Sequence, residues 1–261
     1  MRYLFDNDLH IHSQLSLCSG DPEQTPAAIL RYALDNGLKT ICLTDHYWDE
    51  NVPGASGWYA RQDYAHIAQA LPLPTAEGVR FLFGCETDLR ADMTLGVSPA
   101  VYDKFDFIII PTTHLHMDGF TCRGDEGAEE RAKLWLNRFD GVLDMDLPFY
   151  KVGIAHLTCD LMYRDHYLET LALLSENDYA PVFRKAAARG VGIELNFSAA
   201  SLTEENKDLI LRPYRVAKAE GCKFYFGSDA HHPRGLAGEK QNAEAIIDLL
   251  DLKESDKFYL Q

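Results

Sequence analysis

The sequence predicts an α/β protein whose parallel strands form a closed or nearly closed barrel. Two observations support this class: short apolar runs alternate with amphipathic stretches along all 261 residues, and roughly seven of the runs have the length of strands. Near-continuous apolar runs are typical of parallel strands that are buried on both faces. The alternation itself indicates βαβ units. An open, doubly wound sheet is the competing architecture.

Predicted strands and helices alternate along most of the chain. The strands are predicted at 4–12, 40–46, 79–89, 106–114, 152–158, 191–197 and 223–231. The helices are predicted at 26–36, 126–139, 179–188, 204–220 and 243–250, and a glycine follows the first, third and fourth as a C-terminal stop. No repeat or Pro/Gly-rich linker interrupts the pattern. We therefore expect one domain over 1–261, with 47–64 as a long loop over the mouth of the sheet.

The charge of the chain excludes some classes of partner. The 40 acidic residues outnumber the 25 basic ones, which gives a formal net charge of −15. A negative field repels phosphate backbones and anionic lipids, so we expect no membrane binding and no long nucleic acid as substrate. A small phosphorylated metabolite is still compatible, because a bound cation can reverse the local sign.

The cysteines and the N-terminus predict a cytoplasmic setting. Six cysteines are scattered singly, without a CxxC pair. The first apolar run is broken by Asp6, Asp8 and His10, so it does not have the uncharged core of an export signal. The most apolar stretch, 105–111, is too short to span a bilayer. We expect reduced thiols, and the sequence predicts no oligomeric state.

Most of the ten histidines stand where a predicted strand ends, and two carboxylates occupy matching positions. The C-terminal ends of parallel strands gather on one face of an α/β fold. We therefore predict that eight side chains converge there as metal ligands. They are His10, His12, His46, Glu86, His114, His156, Asp229 and His231.

Two short motifs indicate how these ligands share ions. Residues i and i+2 on a strand point to the same side, so His10 and His12 can reach one ion, and Asp229 and His231 repeat that spacing. Imidazole nitrogen and carboxylate oxygen suit zinc, manganese or iron. A glutamate among several histidines, here Glu86, can bridge two ions that together activate water and clamp a phosphate.

The remaining polar residues near these motifs receive simpler interpretations. His66, His116, His166 and His232 fall in predicted loops or helices and are interpreted as surface residues. Because His114 and His116 form a His-Leu-His pattern, the choice of ligand between them stays open. Asp8 and Asp45 are expected to accept a ring N–H from a ligand histidine.

Together the motifs resemble those of the PHP family, the polymerase-and-histidinol-phosphatase metallohydrolases. The matching segments are Asp8-Leu9-His10-Ile11-His12-Ser13, Leu43-Thr44-Asp45-His46, Gly84-Cys85-Glu86, His114, Ala155-His156, Glu194-Leu195-Asn196 and Gly227-Ser228-Asp229-Ala230-His231. The resemblance implies a distorted (β/α)7 barrel similar to a TIM barrel. It also implies two or three divalent ions, Zn, Fe or Mn, at the C-terminal ends of the strands.

The resemblance also implies how the ligands are divided between the ions. His10, His12, Glu86 and Asp229 would hold the first ion, and Glu86, His114 and His156 the second. His46 and His231 would belong to a third site. There the sequence departs from the family, which usually has histidine or aspartate where Leu17 and Cys18 stand. Either Cys18 or Asp21 could complete that site, and its occupancy stays open.

A substrate-binding arginine is implied as well. Arg164 follows His156 by eight residues, where the resemblance suggests a basic residue that contacts phosphate. No catalytic group is expected beyond the metal ligands and a metal-bound water. Specificity is expected in 47–64 and 115–126, where Trp48, Trp58 and Phe120 could line a pocket.

The leading hypothesis is a metal-dependent phosphoesterase that hydrolyses a small phosphomonoester, with histidinol phosphate as one candidate. A metal-bridging hydroxide at a di- or trinuclear site would attack phosphorus. The first alternative is a deacetylase of the amidohydrolase type on the same barrel, although Glu86 already fills the bridging place and no strand-end lysine is present to form a carbamate. The second is a non-catalytic, metal-stabilised regulatory domain.

Overall fold

Eight short parallel strands organise the computed structural model, which describes residues 1–260. Three strands form one sheet in the order β1-β2-β3, and five form a second in the order β4-β5-β6-β7-β8. Every pairing within the two sheets is parallel. The predicted α/β class is confirmed. The strands are β1 (Asn7–Ile11), β2 (Thr40–Leu43), β3 (Arg80–Phe83), β4 (Cys85–Glu86), β5 (Ile108–Ile110), β6 (Val152–Ile154), β7 (Gly192–Leu195) and β8 (Lys223–Phe226).

Helices fill most of the intervals between the strands. They are α1 (Pro26–Asn36), α2 (Tyr64–Ile67), α3 (Ala128–Asp144), α4 (Tyr167–Ala172), α5 (Glu176–Arg189), α6 (Lys207–Ala219) and α7 (Glu239–Leu249). The first has the predicted bounds, because Thr25 caps its N-terminus and Gly37, at φ 71°, ends it. The short helices α2 and α4 were not predicted, and α7 begins four residues earlier than expected.

The third predicted strand, 79–89, is divided into β3 and β4 at Gly84. A Cβ at this position would lie 2.5 Å from the carbonyl oxygen of Phe107, so glycine is needed where the chain passes from one sheet to the other. Beyond the break, Glu86 forms a parallel bridge with His46 at the end of β2. The two sheets are thus joined by a continuous stretch of chain.

The opposite edges of the two sheets also meet. Ile11 of β1 forms a parallel bridge with Ala230, just beyond β8. The backbone N–H of Asp229 donates to the carbonyl of His10 at 2.7 Å, and that of His12 donates to Ala230 at 3.1 Å. With β3 and β4 sharing one position, seven strand positions form a distorted ring, in agreement with the predicted TIM-like (β/α)7 architecture.

Apolar residues are buried on both faces of the strands. A small cluster of eight side chains fills the interior: Leu9, Cys42, Leu82, Phe107, Ile109, Ala155, Tyr225 and Phe258. Phe258 donates its backbone N–H to Phe224, so it lies at the start of β8. A larger cluster packs between the strands and the helices. The polar strand ends therefore lie above a packed interior.

Two further expectations concern cysteines and membranes. All six cysteines are free, and four of them are buried: Cys42, Cys85, Cys122 and Cys222. In residues 1–260 there is no helix with the length and apolar character needed to cross a bilayer.

Candidate metal centre

The structure brings all eight predicted ligand side chains together where the strands end. Three of the four overlapping groups of potential ligands in residues 1–260 together contain all eight, and in each group one ligand atom per residue lies within 4.8 Å of the others. The groups are His10, His12, Glu86 and Asp229; then Glu86, His114 and His156; then His12, Cys18, His46 and His231. Convergence of this kind follows from the parallel order of the strands. That these side chains hold metal ions stays a prediction.

Glu86 is the residue common to the first two groups, and one of its oxygens faces three histidines. Glu86 Oε2 lies 3.5 Å from His10 Nε2 and 3.3 Å from His12 Nε2. It also lies 3.1 Å from His46 Nδ1. The carboxylate is 1% exposed, so these nitrogens rather than water surround that oxygen.

The second oxygen of the same carboxylate faces a different pair of histidines. Glu86 Oε1 lies 3.4 Å from His156 Nε2 and 3.9 Å from His114 Nε2. The His114 and His156 rings are stacked, with centroids 4.8 Å apart. Glu86 therefore lies between two sets of imidazoles, one at each oxygen, which is the arrangement of a bridging carboxylate.

The surroundings of Asp229 show whether the first group fits a cation. Its Oδ1 is buried and accepts no hydrogen bond from any group in residues 1–260. Yet His10 Nε2 and His12 Nε2 lie only 3.4 and 3.0 Å away, and these two nitrogens are 3.1 Å apart. Nitrogen and oxygen ligands about 2.0–2.2 Å from a tetrahedral zinc ion lie about 3.3–3.6 Å from one another. The donor set and its spacing fit a divalent cation.

Glu194 orients two of the predicted ligands at once. Its Oε1 lies 2.7 Å from His10 Nδ1, and its Oε2 accepts the backbone N–H of His156 at 2.6 Å. A His10 ring that donates through Nδ1 presents its Nε2 lone pair to the cluster. Gly227 makes room for this contact, because a Cβ there would lie 2.1 Å from Glu194 Oε1.

Asp88 orients His114 in the same way. Its Oδ2 lies 2.9 Å from His114 Nδ1 and accepts the hydroxyl hydrogen of Tyr59 at 2.9 Å. Burial opposes ionisation, but His114 and Arg138 outweigh it and lower the pKa of Asp88. Asp88 stays charged and holds the ring of His114 with Nε2 toward Glu86.

These contacts revise the expectation for Asp8 and Asp45. Within residues 1–260 neither accepts a ring N–H directly. Asp8 accepts the backbone N–H of Ser228 at 3.0 Å. Asp45 accepts the hydroxyl of Ser16 at 2.8 Å, and that hydroxyl in turn lies 2.9 Å from His12 Nδ1. The predicted direct contact with a ring was therefore wrong for both residues, and Asp45 reaches His12 only through a serine.

The sequence analysis did not identify Asp88, although a signal for it existed. Asp88 follows Glu86 by two residues, a spacing that places two side chains on the same side of an extended chain. Glu194 lies in a segment that matched the family, but nothing in its spacing shows which ring it would meet. Only the tertiary structure pairs it with His10.

Within the cluster, the pKa values of the histidines are strongly shifted. Burial lowers the pKa of His12, but the neighbouring carboxylates of Asp229 and Glu86 outweigh it and raise that pKa to about 9. Burial lowers the pKa of His46 to about 3 and that of His231 to about 4. At neutral pH and without a cation, His12 is therefore protonated, and its charge balances the carboxylates. His46 and His231 are neutral imidazoles.

The backbone is strained at three predicted site residues. Asp229 has φ 54°, His156 has φ 25° and Arg164 has φ 49°. Positive φ is uncommon for residues other than glycine and is concentrated at functional sites. The fold keeps Asp229 and His156 in these conformations through the hydrogen bonds to β1 and to Glu194.

A cavity of about 240 Å³ opens beside the cluster. Trp58, Met117 and Leu161 form its apolar wall, and Glu86 and Asp229 line its polar side. His116 lines it as well and is half-buried, so its interpretation as a surface residue was wrong. Of the His114 and His116 pair, it is His114 that joins the ligand groups.

The three aromatic candidates for the pocket have different positions. Trp58 lines the cavity, with its ring 5.0 Å from that of His46. Trp48 is 1% exposed and donates its indole N–H to Val52, and Phe120 packs against it at 5.4 Å. Trp48 and Phe120 therefore support the loop rather than line the cavity.

Arg164 lies in a neighbouring depression. It is exposed and lines a cavity of about 370 Å³. That cavity shares His116 and Leu161 with the metal-site cavity, but Arg164 does not itself line the latter. Arg164 thus lines a cavity that adjoins the one beside the cluster, and His116 and Leu161 lie between the two.

The family of the chain follows from its match to a family model. The model of the PHP domain matches residues 8–260, which is nearly the whole chain. The chain belongs to the PHP family. The resemblance inferred from the motifs is thereby confirmed, and the matched range includes every predicted ligand.

Relatives of this PHP chain are named as phosphatases. A probable histidinol-phosphatase of Deinococcus radiodurans is 27% identical over 268 residues, covering 94% of this chain and 93% of the relative. A probable phosphatase of Syntrophotalea carbinolica is 26% identical over 251 residues, covering 92% and 85%. The predicted enzyme class, a phosphoric ester hydrolase, is confirmed by these relatives.

A solved structure supports the fold of the PHP chain. The histidinol phosphate phosphatase from Lactococcus lactis, in complex with zinc, L-histidinol and phosphate, superposes with a TM-score of 0.60 at 15% identity. The match covers 97% of this chain and 98% of that one. At this level of identity the likeness concerns the architecture.

Proposed function

We propose that this PHP chain is a metal-dependent phosphoesterase that hydrolyses a small phosphomonoester at a centre of at least two divalent ions. The observation that carries the proposal is the position of Glu86. Its two oxygens face two separate sets of imidazoles while the carboxylate is 1% exposed. A carboxylate that bridges two ions explains this arrangement, because an unpaired buried charge is otherwise costly.

The side chains divide naturally between the two ions. His10, His12, Glu86 and Asp229 would hold the first, and Glu86, His114 and His156 the second. Glu194 and Asp88 keep His10 and His114 in the tautomer that presents Nε2 to the centre. Zinc, iron and manganese all accept imidazole and carboxylate ligands.

When bound, a pair of divalent ions provides an activated water at neutral pH and stabilises the charge on the phosphoryl oxygens. The chain's own residues have to position the ester. Arg164 is proposed to bind the phosphate from the neighbouring depression, because a guanidinium can contact two phosphate oxygens at once. Trp58, Met117 and Leu161 would contact the organic part of the ester and keep water from it.

The substrate is proposed to be a small molecule. A cavity of about 240 Å³ is below the size of most drug-sized ligand pockets, about 300–1,000 Å³. The net charge of −15 disfavours long nucleic acid. Histidinol phosphate is a specific candidate, because the Deinococcus radiodurans relative is named a probable histidinol-phosphatase and the Lactococcus lactis enzyme was solved with L-histidinol and phosphate.

Hydrolysis of p-nitrophenyl phosphate, compared with N-acetylated substrates, tests the proposal. The purified protein is first analysed for its metals and then assayed with added manganese. We expect phosphate release and no deacetylation, followed by activity on histidinol phosphate in a screen of phosphorylated metabolites. A preference for the amides would overturn the proposal in favour of an amidohydrolase-type enzyme.

Variants of the ligands separate catalysis from a regulatory role. Glu86→Ala and His156→Ala are expected to lose nearly all phosphatase activity and bound metal. Glu129→Ala is the matched control, because Glu129 is an exposed glutamate of α3 that pairs with Lys133 at 2.6 Å and lines neither cavity. Full activity in Glu86→Ala would show that the cluster does not perform the reaction.

A further inference from the structure

A cavity of about 720 Å³ lies beside helix α7, outside the metal centre. It is bounded by residues 196–200 after β7, by Gly227 and Ser228 after β8, and by part of α7. It shares no lining residue with the cavity beside the cluster or with the one that contains Arg164. Its volume is within the range of pockets that hold small organic molecules, about 300–1,000 Å³. The proposed phosphoesterase reaction gives this space no role.

Glu239 is the first residue of α7 and lines this cavity. No ion pair within residues 1–260 includes its carboxylate, and the only hydrogen bond to that carboxylate in this range is a long one, 3.5 Å from Nδ2 of Asn242. The amide is engaged elsewhere, since its Nδ2 donates to the carbonyl oxygen of Phe197 at 3.1 Å and its Oδ1 accepts the backbone N–H of Ala199 at 2.8 Å. The carboxylate of Glu239 therefore retains lone pairs that the chain does not use.

The charges around Glu239 favour a cation. The dipole of α7 by itself favours an anion at this end of the helix. Against it, burial and the charges of Asp8 of β1 and Glu194 of β7 raise the pKa of Glu239 to about 8. No lysine, arginine or histidine is among the described residues that line the cavity. A bound cation would reduce the repulsion between the carboxylates, whereas an anion would increase it.

The remaining lining distinguishes an organic cation from a metal ion. Phe197, Ala245 and Leu249 provide apolar surface, and Glu239 is the only carboxylate among the described lining residues. A calcium ion requires about 6–8 oxygen ligands, which one carboxylate beside apolar side chains does not supply. An ammonium group on a carbon chain matches both features, because its charge can lie at the carboxylate and its chain on the apolar surface.

We propose that this cavity binds a small organic ammonium ion, for which Glu239 is the counter-ion and the three apolar side chains are the contact surface of the carbon chain. The ammonium group donates to the oxygen of Glu239 that has no partner, and a charge-assisted hydrogen bond of this kind is stronger than a neutral one. None of the lining residues is a proposed metal ligand. The inference therefore does not rest on the proposed function.

Calorimetric titration with three related probes tests this site. The probes are 2-phenylethylammonium, the neutral 2-phenylethanol and the anionic 3-phenylpropionate, which share a phenyl ring on a two-carbon chain. Zinc-loaded protein is used at pH 8.5, where the carboxyl of Glu239 is mostly ionised and an alkylammonium keeps its proton, as lysine does below its pKa of about 10.4. We expect the ammonium ion to bind once per chain, the alcohol at least about tenfold more weakly, and the carboxylate not at all.

Two variants locate the bound ion. Glu239→Gln removes the charge and should weaken the binding of 2-phenylethylammonium about 10–150-fold, the loss expected for one hydrogen bond to a charged group. Ala245→Phe keeps the charge but fills the cavity with a ring, and it should also weaken binding. Glu244→Gln is the matched control, because Glu244 lies on the same helix but pairs with Arg2 at the surface. It should bind the ammonium ion as the wild type does.

Removal of the zinc separates this site from the metal centre. A free amine can also bind a metal ion through its nitrogen lone pair, so binding has to be compared with and without metal. The metal-free protein should bind 2-phenylethylammonium with nearly the affinity of the zinc-loaded protein. Binding that is lost with the zinc would place the amine at the metal centre. That result would overturn the cavity as its site and leave the proposed function intact.

Three other results would overturn the inference. They are a wild type that binds none of the probes, a wild type that binds the alcohol as tightly as the ammonium ion, and a Glu239→Gln variant with unchanged affinity. Circular dichroism and thermal unfolding of each variant show that a loss of binding does not come from unfolding. If Ala245→Phe does not fold, Glu239→Gln still decides the outcome, because it removes a buried charge without adding volume.

Discussion

Glu194 Oε1 lies 2.7 Å from Nδ1 of His10, and both side chains are completely buried. The two residues are 184 positions apart in the sequence. The contact sets which nitrogen of His10 faces the ligand cluster. Because the other oxygen of Glu194 accepts the backbone N–H of His156, one carboxylate orients parts of both proposed ion sites.

Glu194→Gln should therefore weaken metal binding without unfolding the chain. Glutamine has one acceptor oxygen, so it can satisfy His10 or His156 but not both, and its amide is a poorer partner for the ring. We expect affinity for zinc to fall about 10–100-fold, as for other residues that orient a ligand histidine. Competition with a chromogenic chelator measures the change.

Asp8→Asn is the matched control for that variant. Asp8 is equally buried and close to His10 in sequence, but its carboxylate accepts hydrogen bonds from the backbone N–H groups of Ser228 and His10 and from the hydroxyl of Tyr32 rather than from a ring. It should bind zinc nearly as the wild type does. Equal affinities of Glu194→Gln and wild type would contradict the role given to Glu194.

Gly227→Ala should disturb the same contact by sterics alone. The added Cβ would lie 2.1 Å from Glu194 Oε1 and 2.6 Å from His10 Cβ, so one of the two side chains must move. We expect a loss of about 1–3 kcal/mol in the free energy of unfolding, typical of overpacking, together with weaker zinc binding. Denaturant titration and metal analysis measure the two effects.

Gly57→Ala controls for the loss of glycine itself. A Cβ added at Gly57 would meet no heavy atom of residues 1–260 within 4 Å, and the φ of this glycine is not positive. Its substitution should leave both stability and zinc affinity nearly unchanged. A Gly227→Ala variant that behaves in the same way would show that the close approach is not needed.

Metal binding should become stronger as the pH rises from 6 to 9. The pKa of His12 in the metal-free protein is about 9, so at neutral pH the ring holds a proton that a cation must displace. Asp229 is ionised across this range, because His10 and His12 lower its pKa. The apparent Kd should fall about tenfold per pH unit for each proton displaced.

Calorimetry in buffers of different ionisation enthalpy measures those protons directly. At pH 7 we expect the release of at least one proton per chain on zinc binding. A Kd that is the same at pH 6 and pH 8 would show that the metal-free cluster does not store a proton on its histidines.

Arg164→Ala should lower kcat/KM toward phosphomonoesters while leaving the metal content unchanged. Hydrogen bonds to charged groups contribute about 1.5–3 kcal/mol, so the loss is expected to be about 10–150-fold. Arg164→Lys should recover part of it, since it keeps the charge but not the planar fork. Steady-state kinetics and metal analysis are the measurements.

Arg123→Ala is the matched control for Arg164. Arg123 is also an exposed arginine near this face, but its guanidinium is paired with Asp125 and Glu130. Its removal should change kcat/KM by less than about twofold, as for most exposed ion pairs. If both variants lose activity equally, Arg164 has no special role in binding phosphate.

Glu239→Gln should stabilise the protein at alkaline pH and have little effect at acidic pH. Burial and the charges of Asp8 and Glu194 raise the pKa of Glu239 from 4.5 to about 8. Between these values the folded chain holds a proton that the unfolded chain has lost, so the free energy of unfolding decreases as the pH rises through this range. The glutamine variant avoids that decrease.

Thermal unfolding at pH 5 and pH 8.5 checks the prediction. Tm should rise only at pH 8.5, by about 2–4 °C for each kcal/mol of stabilisation. Glu244→Gln, on the same helix but paired with Arg2 at the surface, should show no such pH dependence. A similar Tm for Glu239→Gln and wild type at both pH values would contradict the raised pKa of Glu239.

Part of the fold could be predicted from local patterns. The bounds of α1 agree because its signals are adjacent in sequence: Thr25 caps one end and Gly37 ends the other. The division of the third strand could not be predicted in the same way. It depends on the close approach of Gly84 to Phe107, which is more than twenty positions away.

The candidate site shows the same division between local and long-range information. Residue type and position at strand ends were enough to select the eight predicted ligands, because parallel strands bring their C-terminal ends to one face. The choice of His114 over His116 depended on side-chain direction. So did the position of Trp48, which packs beneath the loop while Trp58 reaches the cavity.

By itself the sequence determined the class of fold, the face that carries the chemistry and the chemical nature of the proposed ligands, since all three follow from periodicity and residue type. The tertiary structure alone decided which carboxylate meets which ring, and it selected Cys18 over Asp21 beside His231. The physical reason is that a hydrogen bond or ligand contact requires a match within about half an ångström. Local sequence patterns determine the secondary structure of a segment and the side to which its side chains point. Only the packing of all segments determines the positions of side-chain atoms with that precision.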